Sequence, residues 1–108
     1  MGGVTLPLDY IKQVKELVSS YGLALHLDGA RVLNAATYLD VKPKEITQHV
    51  DSVTLCLSKG LGCPFGAVIA GTSEFIRKAA MERHKIVGRL HGLGFIGEAA
   101  LFALDHYE

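Results

Sequence analysis

In Ser58-Lys59-Gly60-Leu61-Gly62-Cys63-Pro64-Phe65-Gly66 a single lysine stands between an apolar run and a glycine-rich turn. A lysine so placed could carry phosphate, bridge to a carboxylate, or form an imine with a carbonyl compound. The residue order argues against the first, because a phosphate loop sets its glycines before the Lys-Ser/Thr pair and here Ser58-Lys59 precedes them. A dinucleotide loop fits no better. Gly60-x-Gly62-x-x-x-Gly66 is one residue too long, contains Pro64 and leads into the strand-like Ala67-Val68-Ile69-Ala70. Standing alone, Lys59 also reads as an ordinary surface lysine beside a turn.

It does not stand alone. Upstream, Leu25-His26-Leu27-Asp28-Gly29-Ala30-Arg31 is another short strand ending in an acid, a glycine and a base. If the two strands run parallel in one sheet, Asp28, Arg31 and Lys59 converge on the carboxyl edge, where open α/β sheets bind ligands. An acid, an arginine and an imine-forming lysine are what pyridoxal 5'-phosphate requires. The carboxylate pairs with the pyridinium nitrogen and keeps it protonated, so the ring accepts electrons, and the lysine holds the aldehyde as a Schiff base.

These segments carry a family resemblance. Leu27-Asp28-Gly29-Ala30-Arg31 and Cys56-Leu57-Ser58-Lys59-Gly60-Leu61-Gly62, with Asn34-Ala35-Ala36 and Val50-Asp51-Ser52-Val53 between them, resemble the low-specificity L-threonine aldolases, fold-type I pyridoxal-phosphate enzymes. Either motif alone is weak, whereas the pair at this distance is specific, and the match runs almost end to end. The resemblance implies that Lys59 holds the cofactor as an imine and Asp28 binds its ring nitrogen. It also places Arg31 near the ring oxygen and gives Ser58 a hydrogen-bonding role beside the cofactor. The implied fold is α/β, a truncated fold-type I large domain of three-layer α/β/α design, with residues 1–108 forming one partial cofactor-binding domain. The implied substrate is threonine or a related β-hydroxy amino acid, cleaved to glycine and an aldehyde by a cytoplasmic homo-oligomer, a dimer or tetramer. Where the family carries Gly-Gly-Gly-Met-Arg-Gln after its long helix, this chain reads Val87-Gly88-Arg89-Leu90-His91-Gly92, so His91 stands in the arginine's place. Histidine is mostly neutral at pH 7 and holds a carboxylate with fewer donors.

The elements that must position these residues follow from periodicity. Leu8, Ile11, Val14, Val18 and Tyr21 recur at helical spacing behind Pro7, and Gly22 stops the helix. Leu23–Leu27 is expected to be a strand, Arg31–Tyr38 a short buried helix, and Pro43–Gln48 an outer helical turn or two. Ser52–Leu57 is apolar and β-rich and leads to Lys59; Ala67–Ala70 is a further strand closed by Gly71. Thr72 or Ser73 then caps a long helix with Phe75, Ile76, Ala79, Ala80, Arg83, Ile86 and Val87 on its inward face. A last helix runs from about Leu93 to Tyr107 with Ile96, Ala100, Ala103 or Leu104, and Tyr107 inward. Three strands leave edges and apolar faces that favour self-association.

Of 108 residues, 49% are hydrophobic and 20% charged, enough apolar material for the core of one small domain. Eleven basic and eleven acidic residues balance, so no basic field invites nucleic acid or an anionic membrane. With neither a membrane-length apolar window nor a signal-like start, the chain reads as soluble and intracellular. Cys56 and Cys63 lack both Cys-x-x-Cys spacing and a disulfide framework and read as free thiols. His26 and Asp28 share a strand face and could offer two metal ligands, but no third lies near, and no metal site is expected. Ser58 lacks the Gly-x-Ser-x-Gly elbow of a nucleophilic serine. Two functions stand side by side: a threonine aldolase-type lyase, and a catalytically silent fragment acting as an interaction module. An imine-forming lysine without pyridoxal phosphate is a weaker third.

Overall fold

Pro7, with φ −61° and ψ 148°, caps the first helix of the computed structural model, which describes residues 3–86 and 92–107. The substitution of His91 for an arginine, and the run 87–91 around it, lie outside the described residues. Helix α1 (Leu8–Ser20) buries Ile11, and Gly22 ends it. Gly22 adopts φ +65°, which glycine alone reaches without steric cost. The turn is closed by Gly22 N–H to Ser19 O (3.0 Å) and Leu23 N–H to Val18 O (3.0 Å), the paired bonds of a glycine C-terminal stop.

The chain then enters β1, His26–Asp28, shorter than the strand expected from Leu23. The reason lies in the partner available. Leu25 N–H donates to the Asp51 carboxylate (2.7 Å) and Leu25 O accepts from Asp51 N–H (2.8 Å), so a side chain stands where a strand neighbour would begin. Leu23 is left 61% exposed. After β1 come α2 (Val32–Leu39) and α3 (Pro43–Thr47), close to the expected spans, with Val32, Leu33, Ala36 and Ile46 buried. Pro43 occupies the first helical position of α3, and Glu45 accepts the Lys42 N–H at 2.8 Å.

Strand β2 (Ser52–Cys56) is the centre of a three-stranded mixed sheet of order β1-β2-β3. It pairs with β1 in parallel, with His26 opposite Ser52, Leu27 opposite Val53 and Asp28 opposite Thr54. It pairs antiparallel with β3 (Ala67–Gly71), from Ser52 opposite Gly71 to Cys56 opposite Ala67. The remaining helices are α4 (Ser73–Ile86) and α5 (Gly94–Asp105).

Alternation along β1 and β2 divides the sheet. Leu27 and Leu55 pack against a core of Ile11, Val32, Leu33, Ala36 and Ile46, so α1, α2 and α3 supply the cover for that face. A second cluster of Leu57, Cys63, Ile96 and Ala100 joins the end of β2 to α5. The Tyr107 hydroxyl donates to Leu33 O at 3.0 Å, tying the segment after α5 to α2. The expected inward faces hold for α5 at Ile96 and Ala100 but not for α4, in which no residue is buried. Every residue of β3 is exposed, because among the described residues little beyond β2 and the start of α4 lies against it. The three-layer arrangement expected from the resemblance is therefore present only in part, as a mixed α/β unit with one well-covered sheet face. No helix among the described residues is long and apolar enough to cross a membrane.

Candidate active site at the carboxyl edge of β1 and β2

Asp28 is the last residue of β1, and Lys59 follows three residues after the end of the neighbouring parallel strand β2. The parallel pairing puts both at the same end of the sheet. Asp28 turns the chain out of β1 through its own carboxylate, whose Oδ1 accepts the Ala30 N–H at 3.2 Å. Its other oxygen has no hydrogen-bond partner among the described residues. Gly29 is required by contact rather than by φ: a Cβ there would lie 2.6 Å from Val53 Cγ2 and 2.8 Å from the Thr54 carbonyl oxygen. Arg31, the N-cap of α2, makes no capping hydrogen bond and is exposed.

Lys59 sits in the turn that joins the antiparallel strands β2 and β3. Leu57 N–H to Gly66 O (2.9 Å) and Cys63 N–H to Leu57 O (3.0 Å) close its base, and Gly62 N–H to Lys59 O (3.1 Å) tightens its tip. Gly62 takes φ +66° there. Gly60 lies against α2, where a Cβ would meet Asn34 Oδ1 at 2.9 Å, so the turn carrying Lys59 and the helix following Asp28 and Arg31 are in contact. Ser58 and Lys59 are both exposed. Among the described residues, none of Asp28, Arg31 and Lys59 is engaged in an ion pair. Two cations and a carboxylate thus occupy one sheet edge with their charges available. That donor set suits an anionic ligand bearing both a carbonyl and a protonated ring nitrogen.

His26, Ser52, Thr54 and Cys56, to which the sequence reading gave no part in the cofactor site, form a polar face behind this edge. The His26 ring meets Ser52 Oγ through Nδ1 (2.8 Å) and Thr54 Oγ1 through Nε2 (3.2 Å), so both of its nitrogens are taken by hydroxyls. Cys56 Sγ lies 3.3 Å from Ser58 Oγ. The Ser58 hydroxyl and then its backbone N–H hold the Cys56 thiol below its ordinary pKa, and the Lys59 charge adds to the effect. The signal was present in Ser52-Thr54-Cys56, which alternates polar or small residues with Val53, Leu55 and Leu57; read as one continuous apolar run, the alternation was missed. A separate cleft of about 570 Å³ opens between this turn and α5, lined by Gly60, Cys63, Pro64, Phe102, His106 and Tyr107.

The whole chain, residues 1–108, matches the family model described as beta-eliminating lyase. It is 48% identical over 103 residues to the "Probable low-specificity L-threonine aldolase 2" of Arabidopsis thaliana, covering 95% of this chain and 29% of that one. It is 41% identical over 104 residues to the "Low specificity L-threonine aldolase" of Escherichia coli K12, covering 96% and 31%. Among solved structures, the "Putative aromatic amino acid beta-eliminating lyase/threonine aldolase" of Exiguobacterium sp. 255-15 superposes with a TM-score of 0.86 at 28% identity, over 96% of this chain and 29% of that one. The chain belongs to the beta-eliminating lyase family and is a homologue of the low-specificity L-threonine aldolases. It spans about three-tenths of the length of the relatives it matches.

Proposed function

We propose that this chain forms part of the cofactor-binding domain of a threonine aldolase-type lyase, which cleaves threonine or a related β-hydroxy amino acid to glycine and an aldehyde. The observation that carries the reading is the relation of Asp28 to Lys59: a carboxylate at the end of β1 and an amine in the turn after the parallel β2, at the same end of the sheet and neither in an ion pair among the described residues. The residues present fit pyridoxal 5'-phosphate by their chemistry. Lys59 is the amine that would hold its aldehyde, and Asp28 has one carboxylate oxygen left to accept a ring-nitrogen proton. Arg31, exposed at the start of α2, is the cation for the ring oxygen, and Ser58 supplies a hydroxyl beside Lys59. When bound, that group supplies an electron sink for the pair left on Cα when the Cα–Cβ bond breaks. Asp28 would present its carboxylate to the ring nitrogen and so favour the protonated ring. Gly60 lets the Lys59 turn pack closely on α2, and Gly62 supplies the positive φ at the tip of that turn.

The reading is tested by mixing the purified chain with pyridoxal 5'-phosphate, recording the visible absorbance, reducing with borohydride and mapping the modified peptide. The expected result is one fixed adduct on Lys59 that disappears in Lys59→Ala. Equal labelling of several lysines, or unchanged labelling in Lys59→Ala, would overturn it.

A second reading, a catalytically silent interaction module, is favoured by one observation: Phe65, Val68, Ile69, Phe95, Leu101 and Phe102 are all large, apolar and exposed. The same surface supports self-association of the chain.

A further inference from the structure

Asp28 and Thr54 stand opposite one another in the parallel ladder and on the same sheet face. A threonine hydroxyl opposite a carboxylate is a ready donor to it. Here it does not donate to Asp28; it is engaged with His26 Nε2 at 3.2 Å, and the His26 ring is held in turn by Ser52 Oγ at 2.8 Å on Nδ1. Ser52 is a fixed anchor, 8% exposed and the one buried polar residue among those described. Phe75 of α4 and Gly71 of β3 close over it, since a Cβ on Gly71 would meet Phe75 Cδ1 at 2.8 Å and Ser52 Cβ at 3.2 Å. The imidazole therefore bridges β1 to β2 from a buried hydroxyl at one end to the hydroxyl facing Asp28 at the other. Hydroxyls both donate and accept, so either neutral tautomer makes both contacts, but only the one protonated on Nδ1, which donates to Ser52 and accepts at Nε2, takes up the Thr54 proton.

We infer that His26, as the tautomer protonated on Nδ1, is a positioning residue: by accepting the Thr54 hydroxyl proton at Nε2 it keeps that donor off Asp28 and leaves one carboxylate oxygen open to the ring-nitrogen proton of the cofactor. The inference rests on the cofactor reading given above. Without His26, the Thr54 hydroxyl loses that acceptor, and the carboxylate of Asp28, its ladder partner on the same sheet face, is an acceptor for which it competes with the ring nitrogen. A hydrogen bond to a charged group is strong enough for that competition to weaken cofactor binding by about tenfold.

The test uses the 108-residue chain with two probes, pyridoxal 5'-phosphate and its carbocyclic analogue with carbon in place of the ring nitrogen. Binding is followed by visible absorbance and by the borohydride-fixed adduct on Lys59. His26→Ala is expected to weaken pyridoxal phosphate by about tenfold while changing the analogue, which has no proton to offer Asp28, by less than about twofold. The double variant His26→Ala/Thr54→Val, which also removes the competing hydroxyl, is expected to bind pyridoxal phosphate like the unaltered chain. So is Thr54→Val alone. A His26→Ala chain that binds normally, that loses both probes equally, or that is made worse by adding Thr54→Val overturns the inference while Lys59 labelling leaves the cofactor reading intact. Absence of any Lys59 adduct in the unaltered chain overturns both.

Discussion

Lys15 of α1 and Asp51, the residue before β2, meet at 2.7 Å, and the same carboxylate accepts the Leu25 N–H ahead of β1. One side chain thus joins the first helix to the entry of both parallel strands. The Leu25 N–H first, and Lys15 second, hold the Asp51 carboxyl below its ordinary pKa of 3.8. A carboxylate whose folded pKa is depressed stabilises the fold fully above its unfolded value, and that stabilisation is lost as pH falls through the lower folded value. Asp51→Asn is therefore expected to lower the urea midpoint at pH 7 and to differ less from the unaltered chain as pH falls below about 4. Equal midpoints at neutral pH would show that the contact contributes nothing measurable.

Gly29→Ala forces a Cβ to within 2.8 Å of the Thr54 carbonyl oxygen, which is backbone and cannot swing aside. The expected destabilisation is about 1–3 kcal/mol in chemical denaturation, typical of overpacking. Gly60→Ala meets the Asn34 amide instead and should be milder, because that side chain can rotate. The reverse ranking would place the tight contact in the Lys59 turn rather than under Asp28.

The lowered thiol pKa of Cys56 predicts a larger thiolate fraction near neutral pH than an ordinary cysteine has. Cys56 is half-exposed and Cys63 buried, so iodoacetamide should modify Cys56 first. Ser58→Ala removes the largest cause of the shift and is expected to slow that modification at pH 7 while leaving the rate well above the thiol pKa nearly unchanged. Mass spectrometry of timed samples reads both rates.

Assayed by itself, the 108-residue chain is expected to cleave threonine at least about 100-fold more slowly than a full-length relative. Misplacement of reacting groups by about 1 Å costs that much, and the chain spans 29% or 31% of the relatives' lengths. Glycine and acetaldehyde are measured for the unaltered chain and for Lys59→Ala. Turnover in the relatives' range, abolished in Lys59→Ala, would show that the chain or its oligomer assembles a complete site.

Sedimentation at micromolar concentration is expected to show dimers or larger species, since β3 is exposed along its length and Phe95, Leu101 and Phe102 lie uncovered on α5. A sharp monomer boundary would mean that these surfaces tolerate water unaided.

Elements whose termini are set by local chemistry were legible in the sequence. Pro7, Gly22, Pro43 and Gly71 punctuate the chain where the helices and strands do start or stop, and Leu8, Ile11, Val32, Leu33 and Ala36 show the helical spacing of a covered face. What was not legible depended on long-range partners. Leu23–Leu25 has strand composition, yet the Asp51 carboxylate takes the Leu25 N–H. Phe75 and Ala79 have the spacing of an inward face, but spacing alone does not say whether anything lies opposite. The placement of Asp28 and Lys59 at one end of the sheet was legible because both motifs fall at strand ends; the engagement of Thr54 by His26 required the register between β1 and β2.

The two strands that bring Asp28 and Lys59 to one edge close by routes of different length. The turn from Cys56 to Ala67 spans roughly ten residues, whereas the crossover from Asp28 to Ser52 through α2 and α3 spans roughly twenty-three, adding about 0.7 kcal/mol of closure entropy. On loop length alone the hairpin that holds the amine is expected to form before the crossover brings in the carboxylate. Changes at the β2–β3 hairpin should slow refolding, while changes at the seam between β1 and β2 should chiefly hasten unfolding, so the two halves of the site carry separate kinetic signatures.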